Sequence, residues 1–448
     1  MTMPDAAGAG RATPPRAKPP QPETEPQPAS PPRPETQSRD ETMPLTEQER
    51  AVLDRIDVAR ILALAADLIG AGGENPGGTE AETVQVLAAA CRDQGLTVEI
   101  NEIAPGRPNL TATLPGQVAG EPGVMFLGHS DVVPAGDGWT RGPFEPYVDG
   151  ARLFGRGSTD MKGGLAAIVV AMSALQEAEI GLPGPVQLAC TVDEEDLGLG
   201  IRAFAPAVAH GEFKACIVAE PTDLSTVIGC RGDCYLEVTV TGRPAHSGRP
   251  DDGRNAINAA ARIIDITRRD HESRRAGADA LLGAGTWNVG QISGGIGTSV
   301  VAAECRISID RRLMPDEDAQ TVAADLISQI HAEGIDTDGI EVRVDVTMEM
   351  PGFRTDADHP LVRSAVTALA DVGAGASEVG GWTAACDGGF IARDVGVPTI
   401  VMGPGGLNDQ AHRADESVSL AELEHAAKAY ALMCIRLMID PNRRQGSN

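Results

Sequence analysis

Aromatic side chains make up only 3% of this 448-residue chain, which argues against a binding module built on packed rings. Basic residues are also few, 37 Lys and Arg against 64 Asp and Glu, for a formal net charge of −27 and a pI near 4.6. Nucleic acids and anionic membranes are held by clustered Lys and Arg, so neither is expected as a partner. No apolar run approaches the roughly 18 residues of a membrane span. The N-terminus lacks the apolar core of a secretory signal, so the expected compartment is the cytoplasm. Eight cysteines are present but scattered. Cys230 and Cys234 have no second pair to complete a structural metal site, and buried reduced thiols are expected instead. Residues 1–44 are rich in Pro and nearly free of large apolar side chains, so they cannot offset their ordering entropy and are expected to be a disordered tail.

What remains is a chain with 42% apolar residues, too long for one ordinary core. Order is expected to begin at Thr46-x-x-Glu49, a capping box. Beyond it, Val124–Leu127, Val186–Val192 and Ala215–Ala219 read as buried strands separated by helical stretches such as Leu165–Leu175. Near-continuous apolar strands alternating with helices predict an α/β fold with a mostly parallel sheet covered on both faces. From Cys234 the texture changes. Tyr235–Thr241, Asn255–Thr267, Thr286–Ile292, Ala303–Asp310, Ala319–Ala332 and Ile340–Met348 read β-α-β-β-α-β, the ferredoxin-like order of an inserted α+β domain. The expected organisation is a tail over 1–44, a first catalytic part over 45–232, an insertion over 233–349 and a second catalytic part over 350–448.

The polar residues that stand out follow the apolar strands. His129 and Asp131 end the first, on one face of an extended backbone, so that the histidine can bind a metal while Asp131 accepts from its other ring nitrogen. Asp160 follows Gly157-Ser158-Thr159 ahead of a helix. Glu194 and Glu195 lie in Asp193-Glu194-Glu195-Asp196 after the second strand, where adjacent side chains diverge and can take different tasks. Glu220 closes another strand, and His412 follows the glycine-rich run from Gly403. Singly these have plainer explanations: a polar strand end, a helix N-cap, a solvated acidic loop. Together, His129, Asp160, Glu195, Glu220 and His412 gather beyond the C-terminal ends of strands, the edge where open α/β sheets bind ligands.

The motifs GHSDVVP, GRGSTDMKGG, DEE, AEPTD, GRPAHSGRP and AHRADE, in this order, resemble the zinc-dependent amidohydrolase and peptidase family of acetylornithine deacetylase, succinyl-diaminopimelate desuccinylase, aminoacylase and glutamate carboxypeptidase. The resemblance spans about Ile56 to Met438. It implies a zinc-exopeptidase-like catalytic domain with a dimerisation or lid insertion, and a site for two Zn2+, with Co2+ or Mn2+ able to occupy the same ligands. Asp160 would bridge the ions, His129 and Glu220 would complete one, and Glu195 and His412 the other. Asp131 would orient His129, Glu194 would act as general base, and the Asp160–Met161 peptide would be cis. His246 would reach across a homodimer, formed through the insertion, to stabilise an oxyanion in the partner's site. Arg312 would grip a substrate carboxylate, and Ser299, Trp382 and Gly405 would join it in binding substrate. Ser299 stands where the family usually has Asn, and Ala302 where it has Pro, which puts the usual substrate contact in question. The implied reaction is hydrolysis of the amide of an N-acyl amino acid or related amine; the same centre also serves aminopeptidases and carboxypeptidases on short peptides. A non-catalytic metal-binding relative fits less well, because it would not need Glu194.

Overall fold

The computed structural model describes residues 44–375 and 377–439. Except for Pro44, the expected tail lies outside these residues. The described chain opens with the anticipated capping box: Glu49 N–H donates to Thr46 Oγ1 at 3.2 Å, and Thr46 N–H donates to Glu49 Oε2 at 2.7 Å, starting the helix Glu47–Leu53.

A nine-stranded sheet forms the larger layer. Its centre consists of neighbouring parallel strands, Val186–Thr191, Gly123–His129, Phe213–Val218 and Thr399–Val401. Antiparallel pairs continue the sheet on both flanks, including Thr97–Ala104 with Arg107–Leu114. The alternation of a strand explains why both faces are covered. Val124 and Phe126 enter one core with Leu165, Ile168 and Tyr430, whereas Met125 and Leu127 enter the other with Phe390 and Ile391. The helix Lys162–Glu177 is buried nearly all round, which accounts for its continuous apolar sequence.

The insertion forms its own four-stranded antiparallel sheet: Thr286–Gly294, Glu304–Leu313, Gly232–Thr241 and Glu341–Met350, in that spatial order. This is the ferredoxin-like arrangement read from the sequence. Leu236, Val238 and Val240 enter its core with Ile307 and Ile309, against the helices Ala256–Arg274 and Ala319–Ala332. Several short elements had no clear pattern. Among them are the strand Thr226–Cys230, the helix Leu199–Phe204 and a small sheet of Tyr147–Asp149, Arg152–Phe154 and Ser417–Ser419.

Because the four central strands run the same way, their C-terminal ends share one edge. His129 is the last residue of its strand; Glu194 and Glu195 follow Thr191, Glu220 follows Val218, and the loop to His412 follows Val401.

Candidate metal centre

Asp160 lies at the middle of the cluster. Its Oδ1 is 3.2 Å from His129 Nε2 and its Oδ2 is 3.2 Å from His412 Nε2. Glu220 Oε1 lies 3.3 Å from the same His129 nitrogen, and Glu195 Oε2 lies 3.2 Å from that of His412. Glu194 stands close by: one ligand atom each from His129, Glu194 and Glu220 fall within 4.8 Å of one another, as do those of His129, Asp160 and Glu195. All five expected ligands and the expected base are therefore brought together. Asp160 does not cap the following helix, whose N-cap is Met161. The Asp160–Met161 peptide is cis.

The local electrostatics call for positive charge. Burial, and then the negative charge of Asp160, push the Glu220 carboxyl up to about 8. Burial and then Glu220 push Glu194 well above the usual carboxylate range. Burial also opposes ionisation of Asp160, but the two imidazoles hold it well below its ordinary value. Hydrogen bonds to Asp160 and Glu195 raise His412 to about 10. Four crowded carboxylates share two rings, and Glu195 Oε1 is buried with no hydrogen-bond partner. Mixed imidazole and carboxylate donors around a surplus of negative charge fit divalent cations of the zinc type.

Asp131 lies behind this set, fully buried. Its backbone carbonyl is 3.0 Å and its Oδ1 3.4 Å from His129 Nδ1, so both oxygens help to orient the ring. The carboxylate also accepts the backbone N–H groups of Glu194 and Glu195, at 3.3 and 3.1 Å. Asp131 thus aligns the acidic loop as well as the histidine, a second task that the H-x-D spacing did not reveal.

Other supporting residues were missed. Asn75 Nδ2 donates to Asp131 Oδ2 at 2.9 Å and to Asp193 Oδ1 at 3.0 Å, and Arg107 Nη1 pairs with the same Asp193 oxygen at 2.7 Å. Glu416 accepts three backbone N–H groups from the loop ending at Asp160. Buried Lys162 caps the end of the helix Val58–Gly70 through the carbonyls of Leu68 and Gly72. Buried Asp387 is 2.7 Å from Thr191 Oγ1. Among these, Glu416 falls in the AHRADE motif and Lys162 in GRGSTDMKGG; Asn75, Arg107 and Asp387 carried no signal.

The expected substrate residues are more dispersed. Arg312 is held in an ion-pair cluster, bidentate to Asp310 at 3.1 and 3.0 Å, with Asp233 at 3.2 Å. Ser299 is exposed on the insertion, and its carbonyl accepts from Ser247 N–H. His246 is exposed on the neighbouring loop, where its Nδ1 accepts from Gly248 N–H at 3.0 Å; no contact among the described residues joins it to the cluster. Trp382 is partly buried against the second core. Gly405 has φ +83°, and a Cβ there would lie 2.8 Å from Thr159; its N–H is committed to Glu422 Oε2 at 2.7 Å. Close passage of its loop over Thr159 is what requires glycine.

Comparison with known proteins identifies the family. Residues 125–436 match the sequence profile of Peptidase family M20/M25/M40. An acetylornithine deacetylase from Aliivibrio fischeri is 30% identical over 359 residues, 77% of this chain and 88% of that protein. The fold resembles aminopeptidase PepT from Bacillus cereus, with a TM-score of 0.68 at 22% identity over 86% of this chain and 99% of that one. It also resembles the YXEP protein of Bacillus subtilis, described as a dinuclear metal binding peptidase, with a TM-score of 0.64 at 17% identity over 85% of this chain and 98% of that one. The chain belongs to Peptidase family M20/M25/M40, as a hydrolase acting on amide bonds.

Proposed function

We propose that this protein hydrolyses the amide of an N-acyl amino acid or a related N-acylated amine, using a water activated at a centre of two zinc-type ions. The observation that carries the reading is the position of Asp160, whose two oxygens face different histidines, each with its own glutamate. His129, Glu220 and Asp160 would hold one ion, and His412, Glu195 and Asp160 the other. When bound, such a pair lowers the pKa of a water and polarises the scissile carbonyl. Asp131 keeps the His129 ring turned toward Asp160 and Glu220. Glu194 takes the proton of the attacking water and delivers it to the leaving nitrogen.

The inserted unit would supply specificity and the dimer contact. Its edge strand Thr286–Gly294 is largely exposed, with Ile292 53% and the adjacent Ile296 91% accessible. An unpaired edge with apolar side chains suits a second copy of the chain. That copy would bring its own His246 to the oxyanion. Arg312 would receive a substrate carboxylate by exchanging it for Asp310. Eight buried free thiols fit the reducing cytoplasm, and no helix among the described residues is long and apolar enough to cross a membrane.

The deacylase reading takes support from the 30% identical deacetylase, and a peptidase of the same family is the second reading, because several proteins of similar fold are peptidases. A panel of N-acetyl, N-succinyl and N-formyl amino acids beside dipeptides, assayed with zinc supplied, separates the two. Acyl amino acids are expected to turn over faster; preferential cleavage of dipeptides overturns the deacylase reading.

A further inference from the structure

Glu416 is 1% exposed and follows His412 by four positions. Its Oε1 accepts the backbone N–H groups of Gly157, Thr159 and Asp160, at 3.1, 2.9 and 3.0 Å. Its Oε2 faces Arg156 Nη1 at 2.6 Å. Three backbone donors converging on one oxygen form an anion-binding concavity. That concavity lies in the loop ending at Asp160, and the loop carrying His412 supplies the anion that fills it. Arg156 widens the link, since it also donates to the carbonyls of Ala135 and Arg413, at 3.2 and 3.3 Å. Beside it, Thr159 Oγ1 donates to the Ser417 carbonyl at 2.8 Å.

The two halves of the cluster are supported differently. Strand ends place His129 and Glu220, and Asp131 orients the His129 ring while also accepting the Glu195 N–H. His412 lies in a loop, with its backbone at φ 62°, a left-handed conformation that a non-glycine residue adopts only when its surroundings enforce it. Glu416 is the side chain of this segment that accepts the Asp160 backbone N–H.

We propose that Glu416 is a positioning residue of the metal centre. Its carboxylate fixes Asp160 and His412 relative to each other, and so sets the affinity of the half-site that these two share with Glu195. This rests on the two-metal reading given above. The alternative is that Glu416 and Arg156 form a core ion pair that stabilises the fold without regard to metal.

The test compares the full-length wild type with Glu416→Gln, which keeps shape but removes charge, and with Glu416→Asp, which keeps charge but shortens the reach. Stepwise zinc affinities are measured by calorimetry against a competing chelator, and melting temperatures are measured on the metal-free proteins. In Glu416→Gln the two zinc steps are expected to weaken unequally, the more affected being the one that draws on His412. The more affected step should fall roughly 10- to 100-fold, the usual effect of losing a group that orients a metal ligand. Glu416→Asp should recover part of that loss. Unchanged zinc affinities in both variants overturn the proposal, whatever the melting temperatures do. Equal weakening of both steps, in proportion to a lowered metal-free melting temperature, also overturns it, because that is the mark of a purely structural pair. Wild-type protein that takes up no zinc overturns the two-metal reading and this inference with it.

Discussion

His412 Nε2 stands 3.2 Å from Asp160 Oδ2, although the two residues belong to loops far apart in the sequence. The other Asp160 oxygen is taken by His129 at the same distance. One carboxylate therefore faces both proposed ligand sets, and the sets should be separable by mutation. His412→Ala is expected to retain about one zinc per chain and Asp160→Ala close to none. Metal analysis after dialysis against zinc checks this, and two retained ions in Asp160→Ala would remove the bridge from the account.

Glu194 is near the ligands but belongs to neither proposed set. Glu194→Gln keeps the volume and loses the base. It should bind zinc as the wild type does, with kcat reduced at least about 10²-fold, within the range for loss of a general base. Metal content and turnover measured on the same preparation decide the point; near-normal turnover means that another group accepts the proton.

Asp387 gives a prediction about pH. Thr191 Oγ1 has two neighbours that accept hydrogen bonds, the Gly128 carbonyl at 3.2 Å and Asp387 Oδ2 at 2.7 Å, but only one proton to give. A protonated Asp387 satisfies both, and burial pushes this carboxyl up to about 7. The folded chain then holds a proton between about pH 4 and 7 that the unfolded chain releases. The stabilisation is complete at the acid end and is lost as pH rises through about 7. Asp387→Asn has no such proton. In metal-free protein, the stability difference between wild type and variant should move against the wild type by up to about 1.4 kcal/mol per pH unit across this window. Denaturant unfolding at several pH values measures it, and a constant difference would show that Asp387 is ionised in the fold.

His246 makes no contact with the cluster of its own chain, which leaves a partner subunit as its proposed target. His246→Ala and Glu194→Gln are each expected to be nearly inactive alone. Mixed and refolded together, they should recover up to roughly a quarter of wild-type activity, because some dimers then carry one intact composite site. No recovery in mixtures shown to contain heterodimers contradicts the cross-subunit role.

Much of the candidate site was legible because three of its expected ligands follow strands whose apolar runs are unmistakable. Val124–Leu127 and Val186–Val192 announce parallel strands, and parallel strands place His129, Glu195 and Glu220 on one edge whatever their separation in sequence. The inserted sheet was legible for a similar reason, as Tyr235–Thr241 alternates cleanly. The supports were not. Asn75, Arg107 and Asp387 lie far in sequence from the groups they touch, with no periodicity to mark them, and their roles come from hydrogen bonds that only the folded chain creates. The pairing of Arg312 with Asp310 and Asp233 was hidden as well, because residues two apart on one strand and across a register share a face only once the sheet has formed.

The proposed two-ion hydrolytic centre around Asp160 underlies the zinc and turnover predictions. The most direct measurement is a zinc titration of metal-free protein, with bound metal and hydrolysis of an N-acetyl amino acid followed in parallel. Turnover should be absent without metal, two ions per chain should be taken up, and activity should be lost on adding chelator. Full activity in the metal-free protein, or failure to take up zinc at all, would contradict the two-ion centre.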